Sequence, residues 1–301
     1  MTDTHIHLAY RDLMSYGFMT VLEEKNNLPK GRINRDFTVE DYMEVKSSNT
    51  KFNVTKTILV EAAHGDPNSP LTPHNPITET KMYQKICEDY EQFVGFVMHI
   101  PVKNGKEAVI NYLNQFRDTQ GNLSKYLVGG RQMLVGMEPD CMLSADYIEG
   151  LKVVESEKLV WEIGGTLEHW KSAIEMCKLL PGLRFTLNHC GTENLVLFDN
   201  YREEWKARIR EFSELPNVMV KLGGAAISGV EDMMKYLRYT IKTFGFDRCM
   251  AESNWFVTEV KEDAYNYPFE MTLAVMREMN ATDEHINDVF VNNGQKCYNH
   301  L

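Results

Sequence analysis

The sequence predicts a single α/β domain, a (β/α)₈ TIM barrel spanning residues 1–301, and three observations support it. Eight short runs rich in β-forming residues recur along the chain. Some, such as Thr57–Val60, are continuously apolar, as expected of parallel strands covered on both faces. Amphipathic stretches with helical spacing separate them, and this alternation favours a closed parallel barrel over an open doubly wound sheet.

The strands are predicted from short apolar runs that end in polar or glycine residues. The eight predicted strands are Thr2–His7, Val54–Glu61, Phe93–Met98, Leu127–Leu134, Leu159–Ile163, Arg184–His189, Val218–Leu222 and Arg248–Asn254.

The helices are predicted from apolar residues at helical spacing and from their C-terminal stops, such as Pro181-Gly182. The six predicted between strands are Ile77–Tyr90, Lys106–Asp118, His169–Leu180, Tyr201–Phe212, Val230–Phe244 and Tyr265–Met279. An extra C-terminal helix is expected over His285–Tyr298, packed against the barrel.

Two inserted loops interrupt the alternation. Ala9–Asn53 follows strand one and contains a helical pattern at Val39–Val45, and His64–Pro76 follows strand two. Insertions after strands lie on the catalytic face of a barrel, so both are candidate lids or substrate walls. For Asn26–Arg32, a solvated surface loop is an equally good interpretation.

Composition narrows the class of protein. The chain is 43% hydrophobic and 25% charged, which is ordinary for a globular domain, and its six cysteines are scattered without metal-type spacing. It lacks an apolar run long enough for a membrane span and a secretory signal, so a cytoplasmic location is expected. A net charge of -11 argues against a nucleic-acid partner. The expected partner is a small-molecule substrate, with a homodimer as the default assembly.

His5 and His7 form the strongest local motif. Residues two apart on a strand point to the same face, so the two imidazoles project together. Such a pair supplies half of a metal site. The alternative is a pair of histidines that fixes a buried polar network.

Three further predicted strands end in polar residues. They carry His189 on the sixth strand, Lys221 on the seventh, and Glu252 with Asn254 on the eighth. The carboxyl ends of barrel strands meet at one mouth, so four polar strand ends predict one site there.

The order of these motifs resembles the amidohydrolase superfamily, and within it the lactonase-like, amidohydrolase-related branch. The resemblance runs from Thr2 to about Tyr298 and includes a closing helix at Val291–Tyr298. It implies hydrolysis of a lactone of a sugar acid or small dicarboxylic acid, or of a related cyclic amide, by water attack on a carbonyl at the mouth.

The resemblance also implies roles for individual residues. His5, His7 and His189 would surround one divalent metal, Zn²⁺ or Mn²⁺, or the reacting carbonyl of the substrate, and His189 would also move protons. Arg131 would bind a substrate carboxylate, for which its planar fork is suited. An ion pair between Arg131 and a barrel glutamate, for example Glu162, is the alternative.

Two more residues near these motifs are expected to bind substrate: Lys221 and Trp255. Trp161 is expected to line the mouth beside Trp255, whereas His99 and His169 match no motif and are interpreted as structural or wall residues.

Asn254 departs from the family pattern. The resemblance implies an aspartate here that binds metal and acts as general base, whereas an amide cannot accept a proton near neutral pH. Catalysis without a metal therefore stays open. A water could instead be activated by Glu252, by His189 or by a bound Zn²⁺ that lowers its pKa.

Other interpretations of nearby residues also stay open. Glu252 could form a salt bridge to Lys221 rather than act as a base. Glu61 and His64 could add a metal ligand, although packing of His64 beside Asp66 is the alternative. The function itself has two alternatives: a non-oxidative decarboxylase or hydratase of the same superfamily, and a ligand-binding barrel without turnover.

Overall fold

A computed structural model describes residues 1–48, 51–62, 75–134, 136–192, 202–224, 230–260 and 264–298. Its eight parallel strands form one sheet in sequence order, which confirms the predicted barrel. The strands are β1 (Thr2–Ile6), β2 (Lys56–Val60), β3 (Phe93–His99), β4 (Leu127–Arg131), β5 (Val160–Ile163), β6 (Phe185–Leu187), β7 (Val218–Leu222) and β8 (Cys249–Ala251).

The barrel closes between β1 and the chain that follows β8. Ile6 forms a parallel bridge with Trp255, and the His7 amide donates to the Trp255 carbonyl at 2.6 Å. One residue earlier, the Asn254 amide donates to the His5 carbonyl at 2.9 Å. The two histidines are therefore tied by backbone hydrogen bonds to the end of the eighth strand.

Strands six and eight end earlier than predicted. His189, Cys190 and Asn254 have positive φ angles of 54°, 56° and 54°, in the left-handed region that ordinary strand residues avoid. The chain therefore turns at the polar residues that were predicted to end each strand. Apolar patterning does not reveal a left-handed turn, so the prediction extended both strands too far.

The helices surround the sheet, and all six that were predicted between strands are present. The α-helices of the described residues are α1 (Gly17–Lys25), α2 (Val39–Ser48), α3 (Asn75–Asp89), α4 (Lys106–Asn114), α5 (Ala145–Ser156), α6 (Trp170–Leu179), α7 (Arg202–Ser213), α8 (Val230–Phe244), α9 (Tyr267–Glu278), α10 (Asp283–Asn287) and α11 (Asn293–Tyr298).

Two helices were missed by sequence reasoning, α1 and α5. The signal for α5 was present: Ser144 caps it by accepting from the Tyr147 amide, and Tyr147, Leu151 and Val154 bury one face. The expected C-terminal helix is confirmed as a helical segment in which the π-helix Asp288–Asn292 joins α10 to α11.

The insertion after β1 packs against the mouth of the barrel. Ala9 pairs with Phe37, and the Phe37 ring stacks on Phe256 with centroids 4.1 Å apart. The insertion is thus packed against the chain that follows β8, and its role as a substrate wall stays a prediction. The second insertion, His64–Pro76, lies outside the described residues except for its last two.

The lower half of the barrel interior is apolar. It is filled by Ile58, Val60, Val97, Val128, Val160 and Met250, and α11 closes it from below with Cys297 and Tyr298. Ionisable side chains occupy the upper half. Within the described residues, no helix is long and apolar enough to cross a membrane.

Candidate active site

A bulge in β1 sets the direction of the first two histidines. Asp3 lies opposite Thr57 and Ile6 opposite Leu59, so β1 contains one residue more than β2 between these pairs. Asp3 faces the outer layer, where its carboxylate accepts from the Ser253 amide at 2.9 Å. Burial raises the pKa of Asp3 to about 7.

His5 and His7 point into the barrel, with their Nε2 atoms 3.1 Å apart. The Nδ1 atom of His7 lies 2.8 Å from the Val60 carbonyl, to which it donates. Burial lowers the pKa of both imidazoles well below the usual range, helped by Lys221 beside His5 and Arg131 beside His7. Both rings are therefore neutral at physiological pH, the state that binds metal.

His189 and Glu252 form a buried dyad beside this pair. The Nδ1 atom of His189 lies 2.7 Å from Oε1 of Glu252, and Oε2 of Glu252 lies 3.3 Å from Nδ1 of His5. Ligand atoms of His5, His189 and Glu252 all lie within 4.8 Å of one another. Nitrogen and carboxylate donors at this spacing match the preferences of Zn²⁺ and Mn²⁺.

The two glycines after β7 make room for the dyad. A Cβ atom on Gly223 would lie 2.3 Å from Cγ of Glu252, and one on Gly224 would lie 2.1 Å from Nδ1 of His189. Gly224 also has a φ of +63°, which favours glycine. This glycine pair was part of a predicted motif, and its function is to leave space for the neighbouring side chains.

The contacts of Lys221 fit neither of its two predicted roles, binding of substrate and a salt bridge to Glu252. Its ammonium donates to Oε1 of Glu162 at 2.7 Å, to the Thr4 carbonyl at 2.9 Å and toward Nδ1 of His5 at 3.2 Å. These three acceptors use its three donors, so the predicted salt bridge to Glu252 is wrong. These contacts also leave no Lys221 donor for a substrate, and the ammonium instead contacts Nδ1 of His5.

Arg131 is paired with a different glutamate from the one suggested. Its Nε atom donates to Oε1 of Glu61 at 2.7 Å, and its Nη2 atom donates to the Glu61 carbonyl. Glu162, the suggested partner, is instead paired with Lys221, because Glu61 at the end of β2 lies nearer the mouth. Glu61 therefore orients Arg131.

Asn254 lies beside the dyad at the end of β8 and is 3% exposed. Its positive φ is one that asparagine tolerates better than most residues. Within the described ranges, its Oδ1 atom is buried and accepts no hydrogen bond. This atom is therefore available to accept from a bound molecule.

Neither predicted tryptophan reaches the mouth. The Trp255 indole is 1% exposed and packs against Phe37 and Tyr42, at centroid distances of 5.5 and 5.3 Å. Trp161 faces the helices and packs against Tyr147. The ring beside the histidines is Phe256, 6.3 Å from His7, because the chain turns after Asn254.

The remaining histidines lie elsewhere. The Nδ1 atom of His169 lies 2.8 Å from the Thr166 hydroxyl, and its Nε2 atom lies 3.1 Å from the Met137 carbonyl. These contacts agree with a structural role. The His99 ring lies 6.3 Å from Tyr112. His64, the suggested additional ligand, lies outside the described residues.

Sequence reasoning missed Asn188. It directly precedes His189, it is 1% exposed, and neither its Oδ1 nor its Nδ2 atom has a hydrogen-bond partner in the part of the chain that the structure describes. Its place two residues after Thr186 on β6 could have indicated that it faces the barrel interior.

The fold and this cluster define a barrel with a histidine–carboxylate centre at the carboxyl ends of its strands. Residues 171–299 match the amidohydrolase family model. L-rhamnono-gamma-lactonase of Scheffersomyces stipitis is 22% identical over 99% of this chain and 98% of its own. The carboxyl-terminal part of the chain is thus similar to the amidohydrolase family, and the whole chain is similar to a lactonase, in agreement with the resemblance that the sequence motifs indicate.

Solved structures share the fold. An amidohydrolase from Burkholderia multivorans with bound zinc is 18% identical, covers 100% of this chain and 99% of its own, and has a TM-score of 0.81. A dihydroxybenzoic acid decarboxylase from Polaromonas sp. JS666 with bound manganese is 12% identical, with coverages of 99% and 96% and a TM-score of 0.63. At these identities, the similarity establishes the fold alone.

Proposed function

We propose that the protein hydrolyses the lactone of a sugar acid at the barrel mouth. The observation that carries the proposal is the His189–Glu252 dyad, with its 2.7 Å contact, beside the His5–His7 pair. A carboxylate-oriented histidine can move a proton, while the two neutral imidazoles beside it can help to hold a cation. The lactonase similarity along the whole chain supports this choice of substrate class.

The residues present fit a divalent cation. The buried layer around the histidines contains three carboxylates (Glu61, Glu162 and Glu252) against two cations (Arg131 and Lys221). Oε2 of Glu252 accepts no hydrogen bond among the described residues, which leaves a buried carboxylate oxygen for a cation. A bound divalent cation would polarise the lactone carbonyl and lower the pKa of a coordinated water.

The tautomer of His5 would depend on whether that cation is bound. Its Nδ1 atom lies 3.2 Å from the Lys221 ammonium, 3.3 Å from Oε2 of Glu252 and 3.8 Å from Oε2 of Glu162. When Nδ1 accepts from Lys221, Nε2 carries the proton and donates to His7. When Nδ1 donates to Glu252, both Nε2 atoms present lone pairs for a metal. Glu252 would thus prepare both His5 and His189.

Proton transfer would run through His189. With its Nδ1–H donated to Glu252, the Nε2 atom can take a proton from water as the water oxygen bonds to the lactone carbonyl carbon. The ring C–O bond then breaks, and the imidazolium returns this proton to the leaving oxygen. The product is an open-chain hydroxy acid, and no proton is gained or lost at the histidine.

Arg131 and Asn254 would place the reactants. Arg131, held by Glu61, would contribute positive charge toward an acidic group of substrate or product. Asn254 cannot serve as the base, but its unpartnered Oδ1 atom can accept from the attacking water. These roles account for an active hydrolase without the aspartate expected at this position.

Substrate profiling tests this proposal. The metal-supplemented protein is assayed with sugar-acid lactones for acid release and with dihydroxybenzoates for CO2 release, alongside His189→Ala and the control His285→Ala, which alters a histidine that caps α10. We expect lactone hydrolysis that His189→Ala abolishes and His285→Ala retains. CO2 release without lactone hydrolysis would overturn the proposal in favour of decarboxylation, and turnover of neither would favour a binding protein.

A further inference from the structure

Asn188 directly precedes His189 in the chain, and its side chain and that of Arg131 both approach Gly164. Two residues before Asn188, Thr186 is in register with Glu162, which points inward to Lys221. Because alternate strand residues share a face, Asn188 lies one step above this pair, beside Gly164. The side chain is therefore at the level of the mouth rather than within the packed lower half.

Gly164 leaves a space that three side chains border. A Cβ atom on this glycine would lie 2.8 Å from Sδ of Met133, 3.4 Å from Cδ of Arg131 and 3.6 Å from Nδ2 of Asn188. Arg131 and Asn188 thus meet across a residue without a side chain. A ligand group held by Arg131 would lie within the same part of the mouth as the Asn188 amide.

The Asn188 amide is unsatisfied in a way that is unusual for a buried group. Both its donor and its acceptor are buried, and neither has a partner within the described ranges. Most buried side-chain polar atoms have a partner because an unpaired group loses its hydration without compensation. Asn293, which is also buried at 3% exposure, shows the ordinary case, since its Nδ2 atom donates to the carbonyls of Phe246 and Cys249.

From these contacts we infer that Asn188 binds a ring hydroxyl of the substrate. A hydroxyl is both donor and acceptor, so it can satisfy both atoms of one amide, whereas an unsubstituted lactone ring can satisfy neither. The inference rests on the proposed function and deepens it: the protein would select polyhydroxylated lactones over plain ones. A site built to bind a hydroxyl rejects an analogue that lacks it, because its own polar groups then stay unpaired.

The test compares Asn188→Leu, a near-isosteric apolar replacement, with the matched control Asn293→Leu. The substrates are L-rhamnono-γ-lactone and γ-butyrolactone, which lacks ring hydroxyls. Asn188→Leu should lower kcat/KM for the hydroxylated lactone about tenfold or more, and change that for γ-butyrolactone less than about twofold. Asn188→Ala should show the same selectivity if the leucine variant folds poorly.

Thermal unfolding separates this role from a structural one. Removing an unsatisfied amide should leave the melting temperature of Asn188→Leu unchanged or raised by about 2–4 °C. Asn293→Leu should lower it, because two carbonyls lose their donor, and should leave the ratio of kcat/KM values for the two lactones unchanged. A melting temperature of Asn188→Leu lowered as much as that of Asn293→Leu would overturn the inference.

Calorimetric binding of L-rhamnonate, the open-chain acid, distinguishes the two claims. If the wild type hydrolyses neither lactone but binds L-rhamnonate with an affinity that Asn188→Leu weakens, the proposed function fails and the hydroxyl contact stands. If the wild type hydrolyses both and Asn188→Leu affects both equally, the function stands and the inference fails.

Discussion

The same eight strands build two different layers inside the barrel. The lower layer consists of Ile58, Val97, Val128, Val160 and neighbouring apolar side chains, closed beneath by α11. The upper layer contains histidines, carboxylates and two cations, nearly all of them as buried as the valines below. Burial alone therefore does not separate structural from functional positions.

The two layers differ in how their groups are satisfied. Apolar side chains of the lower layer need only close packing. In the upper layer, Lys221 and Arg131 are each paired with a glutamate, whereas buried oxygens of Glu252, Asn254 and Asn188 have no hydrogen-bond donor among the described residues. The unsatisfied atoms, rather than the charged groups as such, mark where a ligand would bind.

The largest effect is expected from Glu252→Gln in the upper layer. The amide keeps the shape of the side chain but loses the charge that orients His189 and His5. We expect kcat/KM for lactone hydrolysis to fall by about 10²–10⁴-fold, the range of a general base, with little change in melting temperature. Unchanged hydrolysis would remove the dyad from the mechanism.

A large loss of stability is expected from Lys221→Met, at the boundary between the layers. Both Lys221 and Glu162 are 0% exposed, so the variant leaves a buried carboxylate without its cation. Urea unfolding should show a loss of about 3–5 kcal/mol, of which the double variant Lys221→Met/Glu162→Gln should recover a substantial part. A single-variant loss below about 1 kcal/mol would show that Lys221 is not bound as described.

A pH effect of intermediate size is expected from the two histidines of β1. Their pKa values are depressed in the folded state, chiefly by burial, so below about pH 6.5 the unfolded chain takes up protons that the folded protein does not. Their contribution to stability is present above pH 6.5 and is lost as the pH falls, by about 1.4 kcal/mol per pH unit for each ring.

Urea unfolding between pH 5 and 8, with a chelator present, measures this effect. His7→Gln removes one of the two rings. Below pH 6.5, the free energy of unfolding of this variant should therefore change with pH less steeply than that of the wild type, by about 1.4 kcal/mol per pH unit. The difference between the two proteins is informative because Asp3, with its raised pKa, contributes an opposite slope to both. Equal slopes would mean that His7 titrates normally.

The smallest effect is expected from Ile58→Val in the lower layer. Ile58 is 0% exposed, so loss of one methylene should cost about 0.5–1.5 kcal/mol of stability. Lactone hydrolysis by the folded protein should be unchanged. A large loss of activity in this variant would mean that the two layers are coupled, contrary to the division drawn between them.

The sequence was sufficient to predict the barrel and the mouth because both depend on local patterns. Apolar runs such as Thr57–Val60 identify strands, and His5, His189 and Asn254 identify strand ends. Which residues pair across the barrel depends on register, and the ion-pair partners suggested for Lys221 and Arg131 are wrong for this reason. The bulge in β1 and the left-handed turn at His189 set that register, and neither has an apolar pattern.

The direction of side chains after a strand was equally hard to predict. Its position after Asn254 predicts that Trp255 lies at the mouth, but the chain turns at Asn254 and the ring beside His7 is that of Phe256. Asn188 carried no recognisable motif, and only its unpaired buried amide distinguishes it.

Elemental analysis tests most directly whether the upper layer is one metal-assisted hydrolytic centre, as proposed. Wild type and His5→Ala, purified in parallel, are measured for bound zinc and manganese and for hydrolysis of L-rhamnono-γ-lactone before and after chelation. We predict close to one equivalent of divalent metal in the wild type, and loss of both metal and hydrolysis in His5→Ala. A metal-free wild type that hydrolyses the lactone equally well with a chelator present would contradict this account.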